Sequence, residues 1–353
     1  MSPFENREFR SHELVVFGCD EPTALRAIIA VHSTALGPAA GGCRMWSYES
    51  ESEAITDALR LSRGMSYKNA MAGLPFGGGK AVIIGDSRRK TPALFEAFGR
   101  FVDTIGGRYI TAEDVGTTTA DMESVAKHTR FVTGLHRRAG EFGGDPSPKT
   151  ALGVFLGIQA AVKFKMGRSD LDGLRIAVQG VGGVGYHLCR LLANEGVELY
   201  VADVRASAAE RVRDEFKARI VPVETVLAED VDVVAPCALG AVLHNRSIAA
   251  MRARIVAGGA NNQLARDSDG IALLVSGILY APDYVINAGG IISATREYLG
   301  GSTEAQVTQE IHGISARLTE IFECARRENR PTNLVADRMA QDLIDSAQRR
   351  LVA

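Results

Sequence analysis

The 353-residue sequence lacks the cysteine and histidine patterns that bind metals or build disulfide frameworks. Its five cysteines are odd in number and scattered, and they form no Cys-x-x-Cys pair. Its seven histidines show no His-Glu-x-x-His spacing. Because zinc sites and secreted disulfide-rich domains need such clusters, the sequence predicts no metal site and no disulfide framework. Free thiols of this kind suit a reducing compartment, so we expect a cytoplasmic protein.

Strong charge and long apolar runs are also missing. The formal net charge is −2, from 40 basic and 42 acidic residues, and no basic stripe is visible. No run approaches the ~20 apolar residues of a membrane-spanning helix, and the first residues carry mixed charges rather than the apolar core of a signal peptide. We therefore expect neither nucleic-acid nor membrane partners.

What is present is an alternation of strand-like and helix-like segments, which predicts two α/β domains. A segment dense in glycine and proline, 139–148, predicts a hinge between a first domain, 1–145, and a second domain, 146–330. The tail, 331–353, predicts an amphipathic helix that folds back on the first domain. Strands of a parallel sheet in the second domain are expected at 175–179, 199–202, 231–235, 255–257 and 284–286.

Two lysines, Lys68 and Lys80, stand in settings where an exposed lysine is not expected. Lys68 continues the apolar stripe of a helix capped by Ser52, whose stripe residues are Ala54, Ala58, Leu61 and Met65. Lys80 follows three glycines, 77–79, and opens the apolar strand 81–84. A lysine in a desolvated site loses proton affinity and can act as a general acid or base near neutral pH. Either lysine alone could snorkel to solvent, but together they favour a catalytic pair.

The clearest cofactor signal is a glycine loop that follows a strand and opens a helix. Its residues are Gly180, Gly182, Gly183, Val184 and Gly185. Such glycines let a pyrophosphate approach the positive N-terminus of the helix. Asp203, at the end of the next strand, is placed to bind the adenosine ribose hydroxyls, which favours NAD over NADP, although the nearby Arg205 weakens this preference. The alternative interpretation is an ordinary strand–helix turn.

Three further segments could carry chemistry or be ordinary turns. Residues 41–45 could bring backbone close to a small ligand. Asp114, at the mouth of the strand 109–111, could pair with a lysine or with a substrate ammonium, although such an aspartate is more often a turn former. Residues 258–262 end another strand, where side-chain amides could meet the nicotinamide or the substrate.

Taken together, these segments resemble the amino acid dehydrogenases of the glutamate, leucine, phenylalanine and valine group, most closely the leucine, valine and phenylalanine members. The segments that carry the resemblance are 36–42, 58–68, 77–80, 109–116, 235–240, 260–262 and 280–290. Two departures from the family pattern are Cys43, where a threonine is common after the paired glycines, and Ala241, where a second glycine usually follows Gly240. The resemblance implies an N-terminal α/β substrate domain and a C-terminal Rossmann-type NAD-binding domain separated by a cleft, in a homo-oligomer.

The resemblance also implies residue roles. Lys68 would bind the substrate α-carboxylate, and Lys80 would activate water for attack on the iminium formed after hydride leaves Cα. Asp114 would shuttle protons to and from the amino group. The Gly42 backbone and the Asn261 amide would help to hold the substrate. The cofactor would contact the glycine loop together with Asp203, Arg44, Thr150, Cys237, Ala238 and Asn261.

The substrate side chain is expected to be apolar. Glutamate-specific relatives carry a lysine just before the paired glycines, where this sequence has Ala40, and a hydroxyl further on, where it has Ala294. The expected pocket is lined by Ala40, Ala112, Ile291 and Ala294, and it would leave a buried carboxylate unpaired. Ala112 favours a branched aliphatic chain, while the small Ala40 and Ala294 leave room for an aromatic ring.

The sequence therefore predicts an enzyme that uses NAD to deaminate an apolar L-amino acid reversibly to the 2-oxo acid and ammonia. Leucine, valine and isoleucine are the expected substrates, and phenylalanine or another aromatic amino acid is the alternative. A non-catalytic NAD-binding sensor is more remote, because it would be expected to have lost Lys68, Lys80 or Asp114. A hydroxy-acid dehydrogenase would need a histidine–carboxylate pair, and no histidine lies in a motif.

Overall fold

The computed structural model describes residues 3–135 and 144–352, which form two compact units. The first unit lies within 1–144, 294–303 and 340–353, and the second lies within 145–293 and 304–339. Part of the predicted hinge, residues 139–143, lies outside the described residues.

The first unit is built on a five-stranded mixed sheet. Its strands are β1 (Leu14–Asp20), β2 (Leu25–Ser33), β3 (Ala39–Trp46), β4 (Gly77–Ile84) and β5 (Tyr109–Glu113), in the order β1-β2-β4-β3-β5. Its helices are α1 (Glu51–Met71), α2 (Pro92–Asp103) and α3 (Thr119–Ala126). Strand β2 is antiparallel to β1 and β4, whereas β3 is parallel to β4 and β5. The carboxyl ends of the three parallel strands therefore meet at one edge.

Each face of this sheet packs on a different helix. The face toward α2 contributes a buried cluster that includes Ile29, Ile83, Phe95, Phe98 and Tyr109. The face toward α1 contributes a second cluster that includes Ile28, Ala54, Ala58, Leu59 and Val82. Because side chains alternate along a strand, neighbouring residues belong to opposite clusters. Burial of one large apolar side chain contributes about 1.5–3 kcal/mol, so both helices are firmly held.

Small residues allow α1 to lie close to the glycines of β4. A Cβ atom at Gly78 would lie 2.0 Å from the backbone nitrogen of Ser66, and the Asn69 amide donates a hydrogen bond of 2.6 Å to the Gly77 carbonyl. The buried stripe of this half of α1 is therefore Ser62, Ser66 and Asn69. The stripe predicted from the sequence was wrong here, because Leu61, Met65 and Lys68 are only half-buried.

The second unit is built on a six-stranded parallel sheet. Its strands are β6 (Arg175–Gln179), β7 (Glu198–Ala202), β8 (Arg219–Ile220), β9 (Val233–Pro236), β10 (Ile255–Val256) and β11 (Leu279–Tyr280), in the order β11-β10-β9-β6-β7-β8. If β6 is counted as strand 1 and β11 as strand 6, the order read from the β8 edge is 3-2-1-4-5-6. This is the strand order of the doubly wound dinucleotide-binding fold. The predicted two-domain α/β fold with a Rossmann-type second domain is confirmed.

The remaining helices surround this sheet or continue from it. They are α4 (Ser147–Met166), α5 (Gly183–Asn194), α6 (Ala206–Phe216), α7 (Asn245–Ala250), α8 (Asp269–Val275), α9 (Asp283–Ile286), α10 (Gly289–Leu299), α11 (Glu304–Glu328) and α12 (Thr332–Val352). Helices α10 and α12 contribute residues to both units. None of the helices in the described ranges combines the length and apolar character that a membrane span requires.

The strand predicted at 284–286 is instead the short helix α9, and the sheet ends with β11. The Asp283 carboxylate accepts hydrogen bonds from the backbone N–H groups of Tyr284, at 2.6 Å, and Gln263, at 2.8 Å. This local carboxylate–backbone contact competes with strand pairing, and the preceding Pro282 is suited to a helix start.

The cap predicted for α1 was wrong by two residues. The helix begins at Glu51, and Ser50 has an extended backbone whose hydroxyl accepts a hydrogen bond of 3.2 Å from the Glu53 N–H. Ser52 lies inside the helix. Both serines satisfy the sequence preference for an N-cap, so only the backbone conformation distinguishes them.

Candidate functional site

One face of the first sheet gathers most of the residues predicted to act on the substrate. Ala39, Cys43 and Met45 of β3 pack toward α2, so that Ala40, Gly42 and Arg44 point to the other face. Strand register places Ala40 beside Gly78 and Ile110, and Gly42 beside Ala112. Lys80 is two residues beyond Gly78 on β4 and therefore shares this face.

Lys80 and Asp114 form an ion pair on this face. The Lys80 Nζ lies 2.7 Å from Asp114 Oδ2, and the lysine side chain is only 6% exposed. Burial by itself would raise the pKa of Asp114, but the positive charges of Lys80 and Arg44 outweigh it and lower that pKa to about 2. Asp114 is therefore a carboxylate at neutral pH, held against an ammonium group. The predicted pairing of Asp114 with a lysine is found.

The turn after β5 fixes the backbone of Asp114. The Asp114 N–H donates a hydrogen bond of 2.9 Å to Thr117 Oγ1, and the Thr117 hydroxyl donates one of 3.0 Å to the Cys43 carbonyl. Gly116 has a φ of +83°, and a Cβ there would lie 2.1 Å from the Met45 carbonyl oxygen. The turn is therefore held against the end of β3, and the backbone of Asp114 has little freedom to move.

Arg44 is the second cation on the Asp114 carboxylate. Its Nε donates to Asp114 Oδ2 at 3.1 Å, and its Nη1 donates to Asp57 Oδ2 at 3.0 Å. The sequence-based assignment of Arg44 to the cofactor stays a prediction. Asp57, one helical turn before Leu61 on α1, was not singled out from the sequence. The available signal was its spacing of three residues from Arg60, which favours a pair on one helix face.

Lys68 and the expected pocket residue Ala40 both belong to the first unit. Lys68 is half-buried in the last turn of α1. Ala40 is 7% exposed and belongs to a small apolar cluster with Phe76 and Ile110, against which Phe131 and Tyr298 also pack. These aromatic neighbours of Ala40 were missed at the sequence level, because they come from distant segments.

The other expected pocket residues are partly accessible. Ala112 is half-buried on β5, and Ile291 and Ala294 are half-buried on α10. The Ala294 carbonyl accepts a hydrogen bond of 3.3 Å from the Thr133 hydroxyl within the first unit. The role of these residues in binding a substrate side chain stays a prediction.

The glycine loop of the second unit has the geometry that its sequence predicts. Gly180 has a φ of +86°, and a Cβ there would lie 2.6 Å from Ala238 Cβ. A Cβ at Gly185 would lie 2.0 Å from the Gly180 carbonyl oxygen, so the loop and α5 can only approach this closely with glycine. Gly182 is the N-cap of α5. Among the described residues, the atom nearest to a Cβ placed at Gly182 would be Arg205 Nη2, at 3.8 Å.

Asp203 lies beside this loop with a side chain only 7% exposed. Its Oδ2 accepts a hydrogen bond of 2.9 Å from the Val181 N–H, and its Oδ1 accepts one of 2.9 Å from the Arg205 N–H. The Arg205 guanidinium is largely exposed, 3.6 Å from the same carboxylate. An open loop at a helix N-terminus, with a carboxylate at the end of the next strand, fits a dinucleotide.

The amide predicted to meet the substrate, Asn261, is held by a second amide. The Asn287 Nδ2 donates to Asn261 Oδ1 at 2.7 Å and lies 3.2 Å from the Gly259 carbonyl. Asn287 lies in the segment 280–290 that carries the family resemblance, but it was not singled out as a site residue. This hydrogen bond means that the side-chain oxygen of Asn261 already accepts one donor.

Of the remaining residues assigned to the cofactor, Cys237 directly follows β9, whereas Thr150 lies in the first turn of α4. Burial raises the pKa of Cys237 to about 11, although the Gly259 N–H hydrogen bond to its sulfur opposes this, so the thiol is neutral. A Cβ at Gly259 would lie 2.9 Å from Val184. The Thr150 hydroxyl donates to the Pro146 carbonyl at 3.1 Å. Direct contact of these residues with a cofactor stays a prediction.

Comparison with known proteins gives consistent matches along the chain. The family model described as Glu/Leu/Phe/Val dehydrogenase, dimerisation domain, matches residues 11–131. The model described as Glutamate/Leucine/Phenylalanine/Valine dehydrogenase matches residues 199–347.

Individual relatives are similar over nearly the whole chain. Leucine dehydrogenase of Geobacillus stearothermophilus is 48% identical over 352 residues, which cover 99% of this chain and 95% of the relative. Leucine dehydrogenase of Thermoactinomyces intermedius is 49% identical over 346 residues, which cover 98% and 94%. The crystal structure of L-tryptophan dehydrogenase from Nostoc punctiforme matches with a TM-score of 0.84 at 44% identity, covering 96% of this chain and 97% of that one.

Proposed function

Because the chain belongs to the family of glutamate, leucine, phenylalanine and valine dehydrogenases, as its resemblance predicted, we propose that it oxidatively deaminates a branched-chain L-amino acid with NAD. It is an amino acid dehydrogenase, and the products of the proposed reaction are the 2-oxo acid and ammonia. The observation that carries the proposal is the 2.7 Å contact between Lys80 Nζ and Asp114 Oδ2 on the same sheet face as Gly42.

The two charged groups have separate roles in this proposal. Lys80 must first release its ammonium proton, and the neutral amine then takes a proton from the water that attacks the substrate carbon and returns it when water leaves in the reverse direction. Asp114 starts as a carboxylate, so it can accept a proton from the substrate amino group and give it back to departing ammonia. Lys68, in the last turn of α1, holds the α-carboxylate by a charge-assisted contact.

An apolar substrate side chain is supported by the surroundings of Ala40. This residue is buried among Phe76 and Ile110, where a substrate carboxylate would have no charged partner in the cluster. An unpaired buried charge is costly, which disfavours glutamate. The names of the two leucine dehydrogenases favour a branched aliphatic chain. The small Ala40 and the tryptophan dehydrogenase relative support an aromatic amino acid as the second candidate.

NAD is the proposed cofactor, and the glycine loop with the N-terminus of α5 would hold its pyrophosphate. Asp203 would bind the adenosine ribose, where its negative charge disfavours the 2′-phosphate of NADP. A bound nicotinamide would supply the acceptor for the hydride that leaves the substrate Cα. The further contacts that we propose come from Arg44, Thr150, Cys237, Ala238 and Asn261.

Assembly and compartment are the last parts of the proposal. The dimerisation-domain description of the model matched by residues 11–131 supports a homo-oligomer that forms through the first domain. The five cysteines are all free thiols, which supports a reducing compartment such as the cytoplasm.

The decisive experiment is NAD reduction with leucine, valine, isoleucine, phenylalanine, tryptophan and glutamate, each measured as kcat/KM. The proposal expects the highest kcat/KM with a branched-chain amino acid, and a maximum with phenylalanine or tryptophan would select the second candidate. Glutamate as the best substrate would contradict the pocket argument. Binding of NADH without turnover of any amino acid would favour a non-catalytic sensor instead.

A further inference from the structure

We propose that Asp57 is a positioning residue for the catalytic carboxylate, and that it acts on Asp114 through Arg44. This inference rests on the proposed function, because it concerns the residue that exchanges protons with the substrate amino group. Neither the sequence motifs nor the family resemblance pointed to Asp57. It lies in the middle of α1, away from both lysines in sequence.

Three donors converge on the Asp57 carboxylate. Its Oδ2 accepts hydrogen bonds from Arg44 Nη1 at 3.0 Å and from the Tyr48 hydroxyl at 2.8 Å. Its Oδ1 accepts one from Arg60 Nη2 at 2.9 Å. The Asp57 side chain is 14% exposed, and although burial opposes it, these donors lower its pKa. Asp57 is therefore a fixed negative charge held from three directions.

Arg44 joins this fixed charge to the active carboxylate. Its Nη1 is taken by Asp57 and its Nε by Asp114, so the guanidinium is held by carboxylates on two of its edges. A planar guanidinium that is fixed at two edges cannot rotate without breaking a charge-assisted bond. The orientation of Arg44, and with it the plane of the Asp114 carboxylate, depends on Asp57.

The orientation matters because both cations use the same oxygen. Lys80 Nζ and Arg44 Nε both donate to Asp114 Oδ2, at 2.7 and 3.1 Å. In the described residues, no donor is placed on Asp114 Oδ1. The doubly bound oxygen is locked, and the other is left for the substrate amino group. Loss of Asp57 would release Arg44 from one side and allow the carboxylate to turn.

The alternation of charges explains why a neutral residue at position 57 would not suffice. From Arg60 to Lys80 the charges run positive, negative, positive, negative, positive, through Asp57, Arg44 and Asp114. With Asp57 neutral, two cations flank Asp114 and an uncompensated Arg60 remains nearby. Removing one charge from a partly buried network leaves its neighbours without a counter-charge, even when the replacement residue has the same shape.

The test compares Asp57→Asn, which keeps the shape and removes the charge, with Asp57→Glu, which keeps the charge. The matched control is Asp86→Asn, because Asp86 pairs with Arg88 on the surface of the same unit. For Asp57→Asn we expect kcat with leucine to fall about tenfold, since small misplacements of reacting groups have large effects on rate. The KM for leucine should stay within about twofold, and Asp57→Glu should recover part of kcat.

A purely structural role predicts a different pattern. The only tryptophan, Trp46, lines a cavity of about 360 Å³ together with Arg44 and Asp57, so its emission reports whether this region remains native. An unchanged kcat in Asp57→Asn would overturn the inference. So would a loss of leucine affinity as large as the loss of kcat, or a failure of Asp57→Glu to recover activity where Asp57→Asn had lost it.

The positioning role of Asp57 can also be tested without measuring turnover. A crystal structure of Asp57→Asn should show the Arg44 Nε–Asp114 Oδ2 distance lengthened beyond hydrogen-bond range, and an unchanged distance would overturn the inference. If the wild-type protein turns over no amino acid, the proposed function fails, while this structural measurement still decides whether Asp57 positions Asp114.

Discussion

Gly42 and Asp114 lie so close together that no side chain fits between them. A Cβ atom at Gly42 would lie 2.7 Å from Asp114 Cβ and 2.8 Å from the Glu113 carbonyl oxygen. Both distances are shorter than real Cβ contacts allow, and one of the obstacles is backbone. Gly42 therefore does more than leave room for a ligand, because it allows Asp114, the residue after β5, to lie beside Lys80.

Gly42→Ala should accordingly disable the enzyme by displacing Asp114. We expect kcat/KM with leucine to fall by at least about 100-fold, because a displacement of this size misaligns the reacting groups. The NADH Kd should remain within about twofold, since the glycine loop belongs to the second unit. Steady-state kinetics and NADH fluorescence titration measure the two quantities.

The matched control is Gly64→Ala, in the exposed middle of α1. Apart from its own helix backbone, no atom of the described residues lies within 4 Å of the Cβ position at Gly64. This substitution should leave kcat/KM unchanged and raise the free energy of unfolding by about 1 kcal/mol, because alanine is the better helix former. Full activity in Gly42→Ala would show that Asp114 does not need its observed position.

Ala241 predicts a gain in stability from a substitution toward glycine. Its φ of +58° is in the left-handed region, and its N–H donates to the Asn262 carbonyl at 2.6 Å, which fixes this conformation. Left-handed backbone costs a residue with a Cβ about 1–2 kcal/mol, part of which glycine loses again through its more flexible unfolded state. Ala241→Gly should therefore raise the free energy of unfolding by about 0.5–1 kcal/mol.

Urea unfolding measures this change, and Ala208→Gly is its control. Ala208 lies inside α6 with ordinary helical geometry, so glycine there should lower the free energy of unfolding by about 1 kcal/mol. Opposite signs at the two positions are the expected result. A loss of stability at both positions would mean that the positive φ at Ala241 carries no strain.

His12 and His32 predict a loss of stability in acid. Their rings lie edge to face beneath α1 with centroids 4.9 Å apart, and His32 Nδ1 lies 2.8 Å from Ser66 Oγ. Burial, reinforced by His12 and Arg63, lowers the pKa of His32 to about 3, and burial also lowers the pKa of His12. The folded state therefore binds fewer protons than the unfolded state, in which histidine has a pKa of about 6.5.

The contribution of these histidines to the free energy of unfolding is therefore fully present above their unfolded-state pKa. It decreases as the pH falls from about 6.5 toward 3. Each such histidine contributes up to about 1.4 kcal/mol per pH unit in this window. Urea unfolding of His32→Gln should give a shallower decrease than the wild type, whereas His312→Gln, on an exposed position of α11, should not. Equal slopes for wild type and His32→Gln would contradict the account.

The parts of the site that could be predicted are those encoded in short segments. The glycine loop and Asp203 follow strands whose apolar runs are visible in the sequence, and their spacing fixes their place in a parallel sheet. Lys80 could be placed in a buried strand for the same reason. The strand predicted at 284–286 was wrong because the Asp283 carboxylate accepts hydrogen bonds from backbone N–H groups. This contact favours a helical turn over a strand.

The parts that could not be predicted depend on contacts between distant segments. Asp57 is an unremarkable helix residue until β3 places Arg44 beside it, and the aromatic neighbours of Ala40 are likewise assembled by packing. The stripe of α1 was misjudged because the glycines of β4 allow polar Ser66 and Asn69 to be buried by hydrogen bonds rather than by apolar contact. The hydrophobic periodicity of a helix predicts that polar residues such as Ser66 and Asn69 are exposed.

The central claim is that Lys80 is the proton-exchanging group of an amino acid dehydrogenase, and one comparison tests it most directly. Turnover of leucine with NAD is measured for wild type and Lys80→Ala, with NADH binding measured on the same samples. We predict that Lys80→Ala loses at least about 1,000-fold in kcat, as expected for a missing acid–base group, and binds NADH within about threefold of wild type. A variant that keeps kcat within about tenfold of wild type would contradict the account.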